Sequence, residues 1–223
     1  MEMHAMNPFT LILFGAILAL NLPLLFGGPI ESLIFDPGSV LAGEWWRLFT
    51  HPFIHVSLYH ALLDAGAFAF LWQTRPTPHT ARRDFVLFLT CAAGSLAAAL
   101  LVDQTLLQTQ GFCGLSGIGH GLMAYQGLVW AKDRTGDRFT RNAGWLILLS
   151  VFAKSLFEVL SGGVFFGALH LGSIGTPAVA CHLGGVIGGC LAGTVLTPIR
   201  ANDRHRNLAG RTARLGCRKR MSC

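Results

Sequence analysis

Residues 111–130 read GFCGLSGIGHGLMAYQGLVW. The segment opens as a glycine-punctuated turn and passes at Ser116 into an apolar run that lasts to Trp130, just before Lys132. At about 15 residues the run is short against the ~20 that a helix needs to cross a bilayer, which would leave its start below the outer surface. Irregular backbone at that depth survives only beside protein or a water-filled cavity. Ser116 and His120 sit at that entry, and polar side chains inside a membrane are costly unless they are paired or used. The stretch therefore reads as a membrane helix with chemistry at its mouth.

The rest of the chain agrees. Hydrophobic residues make up 52% and charged residues 13%, against roughly 25% charged in an ordinary soluble domain. Apolar runs fall at Phe9–Phe26, Pro52–Trp72, Phe85–Val102, Ser116–Trp130, Trp145–Leu160 and Pro177–Ile199. The expected fold is an all-α polytopic membrane protein, a bundle of six transmembrane helices over residues 1–199 with no separate soluble domain, followed by a basic tail over 200–223. Met1–Pro8 carries Glu2 and no Lys or Arg, whereas a cleaved secretory signal has a basic leading segment. The first run is therefore expected to remain as a span.

Charge placement sets the orientation. Arg75, Arg82 and Arg83 follow the second run, Lys132, Arg134, Arg138 and Arg141 follow the fourth, and Arg200 to Arg220 fill the tail, while the opposite connections hold only Arg47. The positive-inside rule then places both termini in the cytoplasm. The tail can also meet anionic headgroups of membrane lipid; its charge is that of a topology signal, and no nucleic-acid partner is expected.

Polar residues inside the runs converge. Counting back from the cytoplasmic ends at ~1.5 Å per residue puts Ser116 about 24 Å, His182 about 27 Å and His60 about 22 Å deep. Three helices thus bring a serine and two histidines to one level near the outer face. The sixth run, CHLGGVIGGCLAG, spaces Gly184 and Gly188, Gly185 and Gly189, and Gly189 and Gly193 by four, and the fourth run has Gly117 and Gly121. Small residues at that spacing let helices approach closely. A serine and a histidine on different helices need such an approach to share a hydrogen bond. Taken alone, Ser116 in its Gly-x-Ser-Gly setting reads equally as a helix cap.

Of six cysteines, Cys91 and Cys190 fall within runs and Cys217 and Cys223 in the tail. Cys113 and Cys181 flank the outer site and read either as a disulfide clamping it or as two separate thiols, a small buried thiol being the commoner state. Lys154 and Glu158, four apart in the fifth run, read as a mutually neutralising intramembrane pair or as a grip on a substrate terminus. His51 and His55 have His-x-x-x-His spacing but lack the His-Glu-x-x-His pattern of a zinc hydrolase, and are expected to face the outer interface as capping or loop-packing residues. No metal and no cofactor are implied.

These residues resemble the rhomboid family of intramembrane serine proteases. The likeness runs from about Gly43 to Thr197 and rests on GEWWRLFTHPFIHVSLYHALLD, GLSG and ACHLGG. It implies a six-helix rhomboid-like bundle with Ser116 as nucleophile, His182 as base and a Ser-His dyad. His60 and the Ser116 amide would line the oxyanion hole, with Asp64, Gly114, Leu115 and His120 around the oxyanion and substrate. Glu44 and Arg47 match loop-stabilising positions. Asp64 departs from the usual family pattern, which has Asn four residues after the oxyanion-site His; a carboxylate cannot donate to an oxyanion unless protonated, and Asp64 can instead pair with a histidine.

GLSGIGHGL, the compact size and the Lys154 and Glu158 pair further resemble rhombosortases. That implies processing of single-pass membrane proteins whose C-terminal anchor is a Gly-Gly motif, an apolar segment and a basic end. The setting would be a bacterial inner membrane, with the active site towards the periplasm. Two other readings stay open from the sequence: a general rhomboid protease of single-pass proteins, and a non-catalytic rhomboid-like protein that binds membrane clients.

Overall fold

A computed structural model describes residues 7–76, 79–133, 136–165, 167 and 170–196. The tail at 200–223, Arg134 and the last residues of the sixth apolar run lie outside the described residues. The described chain is helical: α1 (Pro8–Asn21), α2 (Pro37–Leu41), α3 (Arg47–Thr50), α4 (Leu58–Gln73), α5 (Ala81–Val102), α6 (Gln104–Gln110), α7 (Ser116–Lys132), α8 (Arg138–Ser161) and α9 (Ala180–Leu196). Each of the six apolar runs carries one of the longer helices. Among the described residues, three segments are long and apolar enough to cross a membrane, Pro8–Leu25, Ala81–Val102 and Arg138–Ser161. A fourth follows if the bent pair Arg47–Phe53 and Leu58–Gln73 is counted as one span, and Ala180–Leu196 is a shorter apolar helix.

Local chemistry sets the helix starts. Asn7, Ser57, Thr80 and Asp137 each accept a backbone N–H from the first turn of α1, α4, α5 and α8, satisfying donors that have no intrahelical partner. α7 differs: its cap position is Leu115, which offers no side-chain acceptor, and Ser116 is the first helical residue. The Ser116 hydroxyl is therefore not spent as a cap.

The bundle is pinned at one end by a buried ion pair. Arg75 lies 3.0 Å from Asp84, and the same carboxylate accepts from Asn7 Nδ2 and Thr10 Oγ1. The Arg75 guanidinium also stacks 3.6 Å over the Trp72 ring. One carboxylate so ties α1, α4 and α5 together. Above it, Phe68, Trp72, Leu87, Cys91, Ile118, Leu122 and Tyr125 form the core between α4, α5 and α7. Outward-facing apolar side chains such as Ile12 and Leu62 stay exposed, as expected of helices whose solvent is lipid.

α9 packs between α5 and α7 through two glycine faces. Gly184 and Gly188 lie against Gly94 and Thr90 of α5, whereas Gly185 and Gly189 lie against Gly117 and Gly121 of α7. A Cβ at any of these four would overlap backbone of the neighbour.

The segment before α4 forms a loop held by polar contacts. Arg47 donates to Glu44 Oε2 at 2.6 Å and to the carbonyls of Glu31 and Ile34 at 2.7 and 2.6 Å; Trp46 Nε1 donates to Ser32 O at 2.9 Å. Glu44 and Arg47 thus hold that loop. Phe35 and Phe112 exchange N–H···O bonds of 3.0 and 2.8 Å, stitching it to the turn that leads into α7.

Candidate active site

Ser116, His182 and His60 meet at one end of the bundle, because each sits within the first turn of its helix, α7, α9 and α4 respectively. His182 Nε2 and Ser116 Oγ are 3.2 Å apart. The close approach of Gly185 to Gly117 brings the two residues within reach. Both line a cavity of about 460 Å³ together with Tyr59, His60, Asp64, His120 and Lys154.

The other His182 nitrogen has a partner that the dyad expectation lacked. His182 Nδ1 lies 2.7 Å from Glu158 Oε2, and Glu158 is wholly buried. A carboxylate only accepts, so Nδ1 carries the hydrogen and Nε2 presents its lone pair to the Ser116 hydroxyl. Lys154 and Glu158 do form the expected pair, at 2.8 Å, but the pair is half of the arrangement: Lys154 uses one Glu158 oxygen and His182 the other. Glu158 Oε1 also accepts the Phe165 N–H at 2.9 Å.

His120 completes the surroundings. Its ring stacks on His182 with centroids 4.0 Å apart and planes 15° from parallel. Its Nδ1 donates to the Ser116 carbonyl at 2.7 Å, so its Nε2 is the acceptor for the Lys154 ammonium, 2.7 Å away. His120, Glu158 and His182 place ligating atoms within 4.8 Å of one another. A dication there would meet the Lys154 ammonium already seated against two of the three, so the arrangement suits proton transfer better than metal ligation.

The opposite wall is built around Asp64. Its Oδ2 accepts the Leu115 N–H at 3.0 Å and faces His60 Nε2 at 3.2 Å and His55 Nε2 at 3.6 Å. Asp64 therefore pairs with histidine and anchors the turn into α7. Gly114 at φ +109° has its Cα side against this group, where a Cβ would come within 3.1 Å of Asp64 Oδ2 and 3.2 Å of the His60 ring. Only glycine fits both the dihedral and the space. His51 and His55 are buried rather than facing the outer interface. His51 O accepts the Gly114 N–H at 3.1 Å, and His55 Nδ1 lies 3.1 Å from Asn21 Oδ1.

The disulfide reading is not realised: Cys113 and Cys181 are free thiols. Cys181 turns into the apolar cluster with Phe35, Leu107 and Phe112, where its Sγ lies 3.8 Å from Ser116 Oγ. Cys113 lines the cavity, and burial pushes its thiol up to about 12.

A family profile described as Rhomboid domain matches residues 42–199. The chain is also similar to RHOMBOID-like protein 9, chloroplastic, of Arabidopsis thaliana, with 39% identity over 72 residues. That stretch is 32% of this chain and 14% of the relative, so the chain matches a small part of the relative's length.

Proposed function

The chain belongs to the rhomboid family, a family generally of serine intramembrane proteases, and we propose that it is an intramembrane serine endopeptidase with Ser116 as nucleophile and His182 as general base. The observation that carries this reading is the 3.2 Å approach of His182 Nε2 to Ser116 Oγ in the lining of the cavity. A hydroxyl and an imidazole lone pair at that distance, reachable by water yet enclosed by helices, are what acyl transfer needs.

In the proposed reaction the Ser116 hydrogen passes to His182 Nε2 as Oγ attacks the substrate carbonyl. The oxyanion lies against the Ser116 amide and the His60 edge of the cavity. The Ser116 amide stands outside the helical ladder, since Ser116 is the first residue of α7 and the first N–H groups of a helix have no intrahelical acceptor. Preorganised donors of this kind act only as negative charge develops. His182 then protonates the departing amine, and water repeats the sequence in reverse to free the acyl group. Asp64, already accepting from Leu115, serves this scheme as the anchor of the turn and the orienting partner of His60.

The proposal includes a six-span arrangement with both termini cytoplasmic, a basic tail from residue 200 onward, and the site towards the periplasmic side of a bacterial inner membrane. Its substrates are single-pass membrane proteins, and the rhombosortase-like motifs point to C-terminal Gly-Gly, apolar and basic signals. Glycines weaken a substrate helix, so an extended strand can reach Ser116. The test is cleavage of a co-expressed reporter with that C-terminal signal, alongside labelling by a fluorophosphonate. Wild type should cut and label, and Ser116→Ala and His182→Ala should do neither. Labelling of wild type without cleavage would sink the substrate class and keep the protease. No labelling at all would favour a client-binding protein.

A further inference from the structure

Five hydrogen bonds form a closed ring that begins and ends on the nucleophile's own residue. Ser116 Oγ meets His182 Nε2 at 3.2 Å, and His182 Nδ1 meets Glu158 Oε2 at 2.7 Å. Glu158 Oε1 accepts from Lys154 Nζ at 2.8 Å, Lys154 Nζ meets His120 Nε2 at 2.7 Å, and His120 Nδ1 returns to Ser116 O at 2.7 Å. The ring joins α7, α8 and α9. We infer that Glu158 is a positioning residue for His182, held in register by Lys154 and His120, so that the site works as a serine-histidine-glutamate relay rather than a dyad. This inference rests on the reading of Ser116 and His182 as the reacting pair.

Every donor and acceptor in the ring is fixed by chemistry. The Ser116 carbonyl can only accept, which puts the His120 hydrogen on Nδ1 and its lone pair on Nε2. That lone pair takes a hydrogen from the Lys154 ammonium, which spends another on Glu158 Oε1. The Phe165 N–H also points at Oε1. With two obligate donors on Oε1, the free oxygen Oε2 faces His182 and compels the Nδ1–H tautomer, the one that leaves Nε2 able to take the Ser116 hydrogen. When His182 becomes an imidazolium during attack, the same carboxylate balances its charge. His120, stacked on the ring at 4.0 Å, keeps the imidazole from rotating out of line.

The ring makes an unusual demand of a conservative substitution. In Glu158→Gln the amide must set its carbonyl oxygen towards Lys154 and Phe165, because a terminal NH2 there would face two donors. Its NH2 then points at His182 Nδ1, which must accept, and the hydrogen moves to Nε2. The base is locked in the wrong tautomer. Glu158→Ala exerts no such compulsion, leaving His182 free to adopt either form. A residue that merely filled space would show the opposite order, since Gln is the closer mimic of Glu.

The test compares fluorophosphonate labelling rates of full-length wild type, Glu158→Gln and Glu158→Ala in detergent micelles, with isotope-edited nitrogen NMR of the His182 ring, assigned by difference against His182→Gln. The expected result is labelling of Glu158→Gln reduced by roughly 10³–10⁴-fold, the scale seen when a triad base is held in the wrong tautomer, with Glu158→Ala less impaired. The His182 hydrogen should lie on Nδ1 in wild type and on Nε2 in Glu158→Gln. Glu158→Gln labelling as fast as Glu158→Ala or faster overturns the inference, as does an Nδ1–H signal that persists in Glu158→Gln. Should Glu158→Ala fail to fold, the NMR comparison decides alone. Failure of wild type to label where Ser116→Ala also fails would instead remove the protease reading, a result distinct from either tautomer outcome.

Discussion

Gly121→Ala tests whether helix separation sets the Ser116–His182 distance. The added Cβ would sit 2.6 Å from Gly185 O on α9 and 2.6 Å from Cys91 Sγ on α5. Ordinary contact between such atoms needs about 3.5 Å or more, so α7 must move by roughly 0.9 Å from α9, and it meets α5 on its other side. Carried to the first turn of α7, that displacement stretches the 3.2 Å Ser116–His182 approach to about 4 Å, beyond hydrogen-bond range. A misplacement of about 1 Å can cost ~10²-fold in rate, and overpacking a tight site costs about 1–3 kcal/mol in stability. The assay is the second-order rate of fluorophosphonate labelling, with the thermal midpoint measured on the same preparation. Gly66→Ala is the control, because a Cβ there meets nothing within 4 Å and alanine favours the helix. Wild-type labelling and an unchanged midpoint in Gly121→Ala would refute the idea that glycine contacts fix the geometry of the site.

Two further outcomes follow from the same structure. Asp64→Ala strands the buried Leu115 N–H and removes the partner of His60, so the thermal midpoint should fall by the equivalent of about 1–3 kcal/mol; an unchanged midpoint would show that the turn before α7 does not depend on this carboxylate. The Cys113 thiol, raised to about 12 by burial, holds its proton throughout the neutral range, so at pH 7.5 it has on the order of 10³-fold less thiolate than a free cysteine. Alkylation of Cys113 by iodoacetamide, followed by peptide mass spectrometry, should be slow and should climb about tenfold per pH unit up to pH 10; a plateau near pH 9 would mean an ordinary thiol.

The start of α7 could be read from GLSG, because glycines end one segment and the apolar run begins at the serine. The second apolar run was less transparent. Pro52 to Trp72 reads as one predominantly apolar run, yet the helix begins only at Leu58, after the segment Arg47–Phe53, which is set at 90° to it. Hydropathy carries no record of that bend; the Ser57 cap does, since Ser57 accepts the His60 N–H at 3.0 Å. The bridge between Phe35 and Phe112 has no local signal at all, being a contact between segments far apart in sequence. Glu158 is different, for its place was recoverable. The depth count applied to Ser116, His60 and His182 puts Glu158, 17 residues from Arg141, about 26 Å deep. Treating Lys154 and Glu158 as a pair complete in itself hid the fact that a carboxylate has a second oxygen to place.

The glycines of α9 also carried more than a general licence for close packing. A single Gly-x-x-x-Gly seats one neighbour, but GGVIGG repeats a doublet, and adjacent residues on a helix differ by about 100° in direction. Each doublet therefore offers one glycine to each of two helices: Gly184 and Gly188 to α5, Gly185 and Gly189 to α7. Seated on both sides, α9 has little freedom to roll. His182 stands one turn before the second of these faces, so the rotation that aims its ring at Ser116 is set by backbone contacts, while Glu158 and His120 set the tilt and protonation of the ring itself. The packing glycines and the polar ring thus constrain different degrees of freedom of the same imidazole, and loss of either should disable Ser116 by a separate route.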